Sequence, residues 1–293
     1  ITHDHNHGAI GAVLCDESLD RCMRVETVGP DDTGAAPAVA AVGGIHGDEP
    51  CGVRAIERFV QDGPVDEVQR PVKLVIANER ALDAETRYVE GDLNRLFPGD
   101  PDSDTYEERL AHDLWQEISG CPVLGFHATV SFDEPFGTVA DLTPRKAEIM
   151  RALPLSHVAD FTGLVSGRSV NLPGFVNVEA GYQGSDAAAD NAYDCLLAYL
   201  RVMDALPGDL ERTGTTHYRV RRTIEKTPGT TYRVHVENFD RVPPGTAYAT
   251  TGTGEELTAD TEFWPVLLSA SGHNALLGYA ADLTGAVGAA AGE

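Results

Sequence analysis

Gly43-Gly44-Ile45-His46-Gly47-Asp48-Glu49-Pro50 is the stretch on which the reading of the fold turns. The run before it, Ala38-Val39-Ala40-Ala41-Val42, is short, apolar and partly β-branched, and predicts a buried strand that ends in the glycine pair. Pro50 opens a helical pattern that reaches Gln61, with Val53, Ile56, Phe59 and Val60 on one face. A strand, a glycine turn and a helix in that order start an α/β layer. The turn between them presents His46 and Glu49 at the C-terminal end of a predicted parallel strand, where open α/β sheets bind ligands. A histidine and a carboxylate three residues apart suit a zinc ion. A surface turn that happens to hold both residues explains the pair equally well.

Outward from this turn the alternation continues. Val72 to Ala77 reads as a strand, Tyr106 to Ile118 as a helix, and Pro122 to Phe126 as a strand closed by His127. Phe175 to Val178 reads as a strand and Ser185 to Leu206 as a long helix. Together these predict a largely parallel sheet flanked by helices. After Leu206-Pro207-Gly208 the texture changes. His217 to Thr223, Thr231 to Val236 and Phe263 to Ser269 are strand-like and separated by Pro-Gly and Thr-Gly turns. The expected organisation is a catalytic α/β domain over 1–207 and a small β-rich domain over 208–293.

Composition bounds the function. The chain has 293 residues, 42% of them hydrophobic, enough for a substantial core. Against 46 acidic side chains stand only 22 basic ones, for a formal net charge of -24. Such a surface repels phosphate backbones, and no Lys/Arg run offsets it, so nucleic acid is excluded as a partner. Lys73, Lys146 and Lys226 are the lysines. An acid-rich, lysine-poor chain resembles proteins of salt-loving organisms, in which concentrated salt screens the self-repulsion. The cysteines at 15, 22, 51, 121 and 195 include no CxxC pair and point to a reducing cytoplasm. The N-terminal stretch lacks the pattern of a signal peptide, and no apolar run has the length of a membrane span.

Further candidates lie along the chain. His127, at the end of its strand, is the best second histidine for a His2Glu metal site, although a buried core histidine is the plainer reading. His3, His5 and His7 in the N-terminal stretch are poor catalytic donors. Arg87-Tyr88-Val89-Glu90-Gly91-Asp92-Leu93-Asn94-Arg95-Leu96-Phe97-Pro98 gathers two arginines and an asparagine in a chain short of positive charge. Guanidinium forks suit carboxylates, and so does a salt-bridged loop. Phe175-Val176-Asn177-Val178-Glu179-Ala180-Gly181 ends an apolar strand in a carboxylate placed either for solvent or for proton transfer.

These pieces, with Asn78-Glu79-Arg80-Ala81 and in this order, resemble the succinylglutamate desuccinylase/aspartoacylase family, relatives of the zinc carboxypeptidases. The resemblance spans residues 43 to 181, and Phe263-Trp264-Pro265-Val266 extends it loosely into the tail. It implies a zinc-carboxypeptidase-like fold and one Zn2+ per chain held by His46, Glu49 and His127. It makes Glu179 the general base and Arg87 the group that polarises the scissile carbonyl. Asn94 and Arg95 would hold a substrate carboxylate and Arg168 a second one, from opposite sides of the metal. The implied activity is hydrolysis of the amide of a small N-acetyl or N-succinyl amino acid, with a dicarboxylate favoured. A zinc exopeptidase of the carboxypeptidase type and a non-catalytic metal- or ligand-binding relative are the alternatives. Oligomeric state stays open, a homo-oligomer included.

Two positions depart from the family pattern. Gly125 stands where the family usually has Asp, two residues before the second metal histidine. The family's C-terminal active-site tyrosine has no clean counterpart: His273 or Asn274 falls near its place, and Tyr279 follows. Net charge also has a measurable consequence. The melting temperature should rise from low to molar KCl as carboxylate repulsion is screened; a flat or falling curve in a thermal scan contradicts the halophilic reading.

Overall fold

The computed structural model describes residues 13–16, 21–30, 38–210 and 214–288. His3, His5 and His7 lie outside them. In chain order the strands are β1 (Val13–Asp16), β2 (Arg21–Val28), β3 (Val39–Gly43), β4 (Val72–Ile76), β5 (Val123–Thr129), β6 (Phe136–Val139), β7 (His157–Asp160), β8 (Phe175–Tyr182), β9 (Thr216–Glu225), β10 (Tyr232–Val234), β11 (Ala247–Thr251), β12 (Glu256–Thr258), β13 (Trp264–Val266) and β14 (Leu276–Ala286). The helices are α1 (Cys51–Asp62), α2 (Glu79–Asp83), α3 (Tyr106–Ile118), α4 (Pro144–Ala152) and α5 (Asp186–Val202).

One 11-stranded sheet runs in the order β1-β2-β4-β3-β5-β8-β6-β7-β9-β14-β13, and β10-β11-β12 form a separate three-stranded sheet. The centre, β4-β3-β5-β8, is parallel. Antiparallel pairs flank it, β2 on β4 and β6 on β8, so the sheet as a whole is mixed. The parallel centre reflects its helical crossovers, which bring each chain segment back to start at the same edge. The C-terminal stretch is β-rich, as expected, and its β9, β14 and β13 continue the large sheet beyond β7.

Helices cover both faces. α1, α4 and α5 bury Phe59, Ile149, Leu196 and Tyr199 against Leu124 and Phe126 of β5. On the other face Leu110 and Leu114 of α3 pack with Val123 and Phe175. Period-2 alternation thus sends Leu124, Phe126 and Ala128 to one core, and leaves Gly125 and His127 on the face shared with Val123. α3 keeps the bounds expected from its apolar spacing. α5 stops at Val202 instead of Leu206, because Asp204 takes φ 54°, a left-handed conformation that no helix accommodates. Its start is set by Ser185, whose hydroxyl accepts from the Ala188 amide. α4, β6 and β7 were not anticipated; each is short, and β6 and β7 are four-residue strands. No helix among the described residues is long and apolar enough to cross a membrane.

Candidate metal centre and substrate pocket

β3 ends in Gly43, and Gly44 turns the chain at φ 70°, a conformation glycine adopts without the usual Cβ penalty. The turn delivers His46 and Glu49, 2% and 4% exposed, over the carboxyl end of the sheet. His127, 3% exposed, arrives from β5. Glu49 Oε1 lies 2.9 Å from His46 Nδ1, and Oε2 lies 2.9 Å from His127 Nδ1. The two Nδ1 atoms are 3.3 Å apart.

These distances fit a cation. Donors about 2.0–2.1 Å from a tetrahedral ion are roughly 3.3 Å from one another. The Nε2 of His46 lies 3.1 Å from Asp92 Oδ1, which assigns the imidazole proton to Nε2 and leaves a lone pair on Nδ1. A carboxylate oxygen and the nitrogen lone pairs then converge in a buried space, an arrangement that a shared positive charge stabilises. Among the described residues these three form the group that could hold a metal ion, all buried. Burial pushes the His127 imidazole below its usual range, which favours the neutral, ligating form. Burial would raise the Glu49 carboxyl, but His46 and His127 hold it well below the usual carboxylate range.

Asp92 was not anticipated as a site residue. Besides His46 it receives the Asn94 amide at 3.0 Å and Arg87 Nε at 3.1 Å. It therefore places a carboxylate behind one of the candidate metal histidines, which Gly125 cannot do. His46 and Arg87 keep Asp92 far below the usual range despite partial burial. In sequence, its place between two arginines was the available signal. The loop that carries Asp92 is itself tethered by Glu107 of α3, which accepts from the amides of Val89, Glu90 and Gly91.

The other expected residues gather on the same cavity, of about 180 Å³, whose lining includes Arg87, Asn94, Arg95, Arg168 and Glu179. Glu179 stands beside His127 in the parallel register of β5 and β8. Burial, then the Glu49 charge, raise its carboxyl to about 8. Arg87 Nη1 donates to Glu49 Oε1 at 2.9 Å. The segment of Arg168 packs on that of Arg95, through Phe97 N donating to Gly167 O at 3.1 Å. After burial, the Arg168 charge is the largest influence that lowers the Arg95 pKa. The roof comes from the C-terminal stretch: Leu267, Ser269, His273, Leu276 and Tyr279 line the cavity. Tyr279 accepts from Arg168 Nη2 at 3.1 Å through its hydroxyl. Burial, then Arg87 and Arg95, push His273 down to about 4, so it is neutral near pH 7.

Residues 35–127 match the succinylglutamate desuccinylase/aspartoacylase catalytic domain. The sequence similarity is thus to this family's catalytic domain and covers less than half of the chain. An N-acyl-aromatic-L-amino acid amidohydrolase (carboxylate-forming) of Xenopus tropicalis is 33% identical over 93 residues, 29% of this chain and 29% of the relative. The aspartoacylase of Mus musculus is 36% identical over 83 residues, 27% of this chain and 25% of the relative. The matched part is thus less than a third of either relative. Among solved structures, a succinylglutamate desuccinylase/aspartoacylase of Rhodobacter sphaeroides superposes with a TM-score of 0.73 at 22% identity, covering 89% of both chains. The ectoine utilization protein EutE of Ruegeria pomeroyi gives 0.72 at 21% identity, over 89% of this chain and 87% of that one. The shared fold therefore covers 89% of this chain, well past the sequence match.

The Asp92 contact sets a test. Asp92→Asn should weaken zinc binding by about 10- to 100-fold in a protein that remains folded, as loss of a carboxylate behind a metal histidine does. Chelator competition measures this; an unchanged affinity would remove Asp92 from the site.

Proposed function

We propose that this chain is a zinc-dependent amidohydrolase that cleaves the amide of a small N-acyl amino acid. The observation that carries the reading is the placement of Glu179 beside the His46-Glu49-His127 cluster, in a cavity whose lining includes three guanidiniums. A ligand store has no need of a proton-transfer group beside the metal donors. His46, Glu49 and His127 would hold the ion. When bound, zinc supplies Lewis acidity and a water acidified toward neutrality.

The remaining steps belong to side chains of the chain. Glu179 takes the proton of the attacking water and returns it to the departing amine. Arg87, freed from Glu49 when that carboxylate turns to a cation, donates to the developing oxyanion. Arg168 and Arg95 bind substrate carboxylate. Among the described residues no carboxylate lies within ion-pair distance of Arg168, although the chain is rich in acids; the substrate is the natural partner. Two adjacent guanidiniums suit an N-acetyl or N-succinyl amino acid with two carboxylates. The roof of Leu267, His273 and Leu276 limits the cavity to small molecules, which disfavours a peptide substrate.

Two outcomes test this reading. The base acts in its ionised form, so an upward-shifted Glu179 predicts that kcat/KM falls on acidification from near neutrality instead of near pH 4.5. Glu179→Gln should lower kcat by roughly a hundredfold or more with zinc retained; near-normal turnover would make Glu179 a strand-end carboxylate. Separately, Arg168→Ala should reduce kcat/KM for N-acetylaspartate or N-succinylglutamate more than for N-acetylalanine. Equal losses on both classes would remove the dicarboxylate preference and leave the amidase chemistry standing.

A further inference from the structure

Two buried atoms of opposite hydrogen-bonding sense are left without a partner on the face of the sheet that carries the metal donors. One is His127 Nε2, the ring nitrogen turned away from the converging donors, and the other is Asn177 Oδ1. Both side chains are nearly enclosed, at 3% and 2% exposure. The parallel register sets Gly125 beside Asn177 and His127 beside Glu179. Strand alternation places all four on one face. Gly125 leaves the space between the strands to its neighbour: a Cβ at 125 would sit 2.2 Å from Asn177 Oδ1 and 2.5 Å from Phe175 Cε1. The Asn177 carboxamide thus fills the volume that a side chain two residues before His127 would claim.

The other end of the same amide reaches the substrate side. Asn177 Nδ2 donates to Ser169 Oγ at 2.9 Å, and the Ser169 amide donates to Asn94 Oδ1 at 2.8 Å. Ser169 follows Arg168, and Asn94 precedes Arg95. One carboxamide therefore links the strand of Glu179 to both segments that present guanidiniums.

We propose that Asn177 is a positioning residue of this site: its Oδ1 is the acceptor that holds the Nε2–H of His127, and its Nδ2 anchors the segment of Arg168. The inference rests on the reading of His127 as a metal donor. A histidine that ligates through Nδ1 carries its proton on Nε2, and an acceptor there fixes the ring plane and strengthens the donor. A buried N–H without one loses its hydrogen bond to water and gains none in return. In the proposed arrangement a turn of the Asn177 side chain or a bridging water would join the two atoms. The two imidazoles are then held unequally, His46 by the Asp92 carboxylate and His127 by a neutral amide.

The experiment is zinc affinity by chelator competition on the full chain, with folding followed by circular dichroism. Asn177→Ala should weaken zinc binding about tenfold or more. Asn177→Asp should match or exceed the wild type, because a carboxylate accepts from both His127 Nε2–H and the Ser169 hydroxyl. Ser169→Ala should leave zinc affinity in place and raise KM for a carboxylate substrate. A folded Asn177→Ala chain with unchanged zinc affinity overturns the proposal. So does an equal loss in the alanine and aspartate variants, which assigns Asn177 to packing alone. Should the alanine variant not fold, Asn177→Asp decides by itself: a tenfold weaker affinity overturns the proposal. The readout is independent of substrate, so a wild type that binds zinc but cleaves no amide would fail the amidase reading and leave this one intact. A wild type with no zinc affinity would overturn both.

Discussion

The Glu49 carboxylate is the interaction on which the site depends. It is 4% exposed, and both of its oxygens are engaged: Oε1 by His46 and Arg87, Oε2 by His127 and the Ala128 amide. Three chain segments, the turn after β3, the arginine loop and β5, are registered against one another through this single group. A buried anion is costly unless it is paired and hydrogen-bonded. That constraint explains why every partner of Glu49 is either a potential cation or a backbone donor. It also explains why a cation shared with the two imidazoles fits the arrangement so directly.

The second constraint is electrostatic. On the proposed function, a chain of net charge -24 has to attract a substrate that carries carboxylate. It does so by concentrating Arg87, Arg95 and Arg168 in one walled cavity. Field lines in a low-dielectric cleft are set by near charges, and distant surface carboxylates are screened by solvent and salt. His273 is part of the same balance: burial first, and then the neighbouring guanidiniums, lower its pKa and disfavour a further positive charge there.

Much of this was legible in the sequence because it is local. The apolar run Val39–Val42 with its glycine turn announced β3, and the spacing of Val53, Ile56 and Phe59 announced α1. His46 and Glu49 follow β3, His127 and Glu179 lie in the C-terminal halves of β5 and β8, where α/β sheets place their ligands, and the structure brings the four together. What escaped reading is non-local. The joining of β9 to β7 depends on register between distant segments. The contact between the segments of Arg95 and Arg168, made by the backbone hydrogen bond from Phe97 to Gly167, joins stretches far apart in sequence. Gly125 was visible as a departure from the family pattern. Its counterpart, Asn177, was not, because only the pairing of β5 with β8 shows that one residue fills the space the other leaves.

The most direct test of the account is the zinc K-edge absorption of the zinc-loaded chain. The account predicts one zinc per chain in a shell of nitrogen and oxygen donors at about 2.0–2.2 Å, with outer-shell scattering from two imidazoles and no sulfur. A sulfur shell near 2.3 Å, or a spectrum without imidazole scattering, would contradict it.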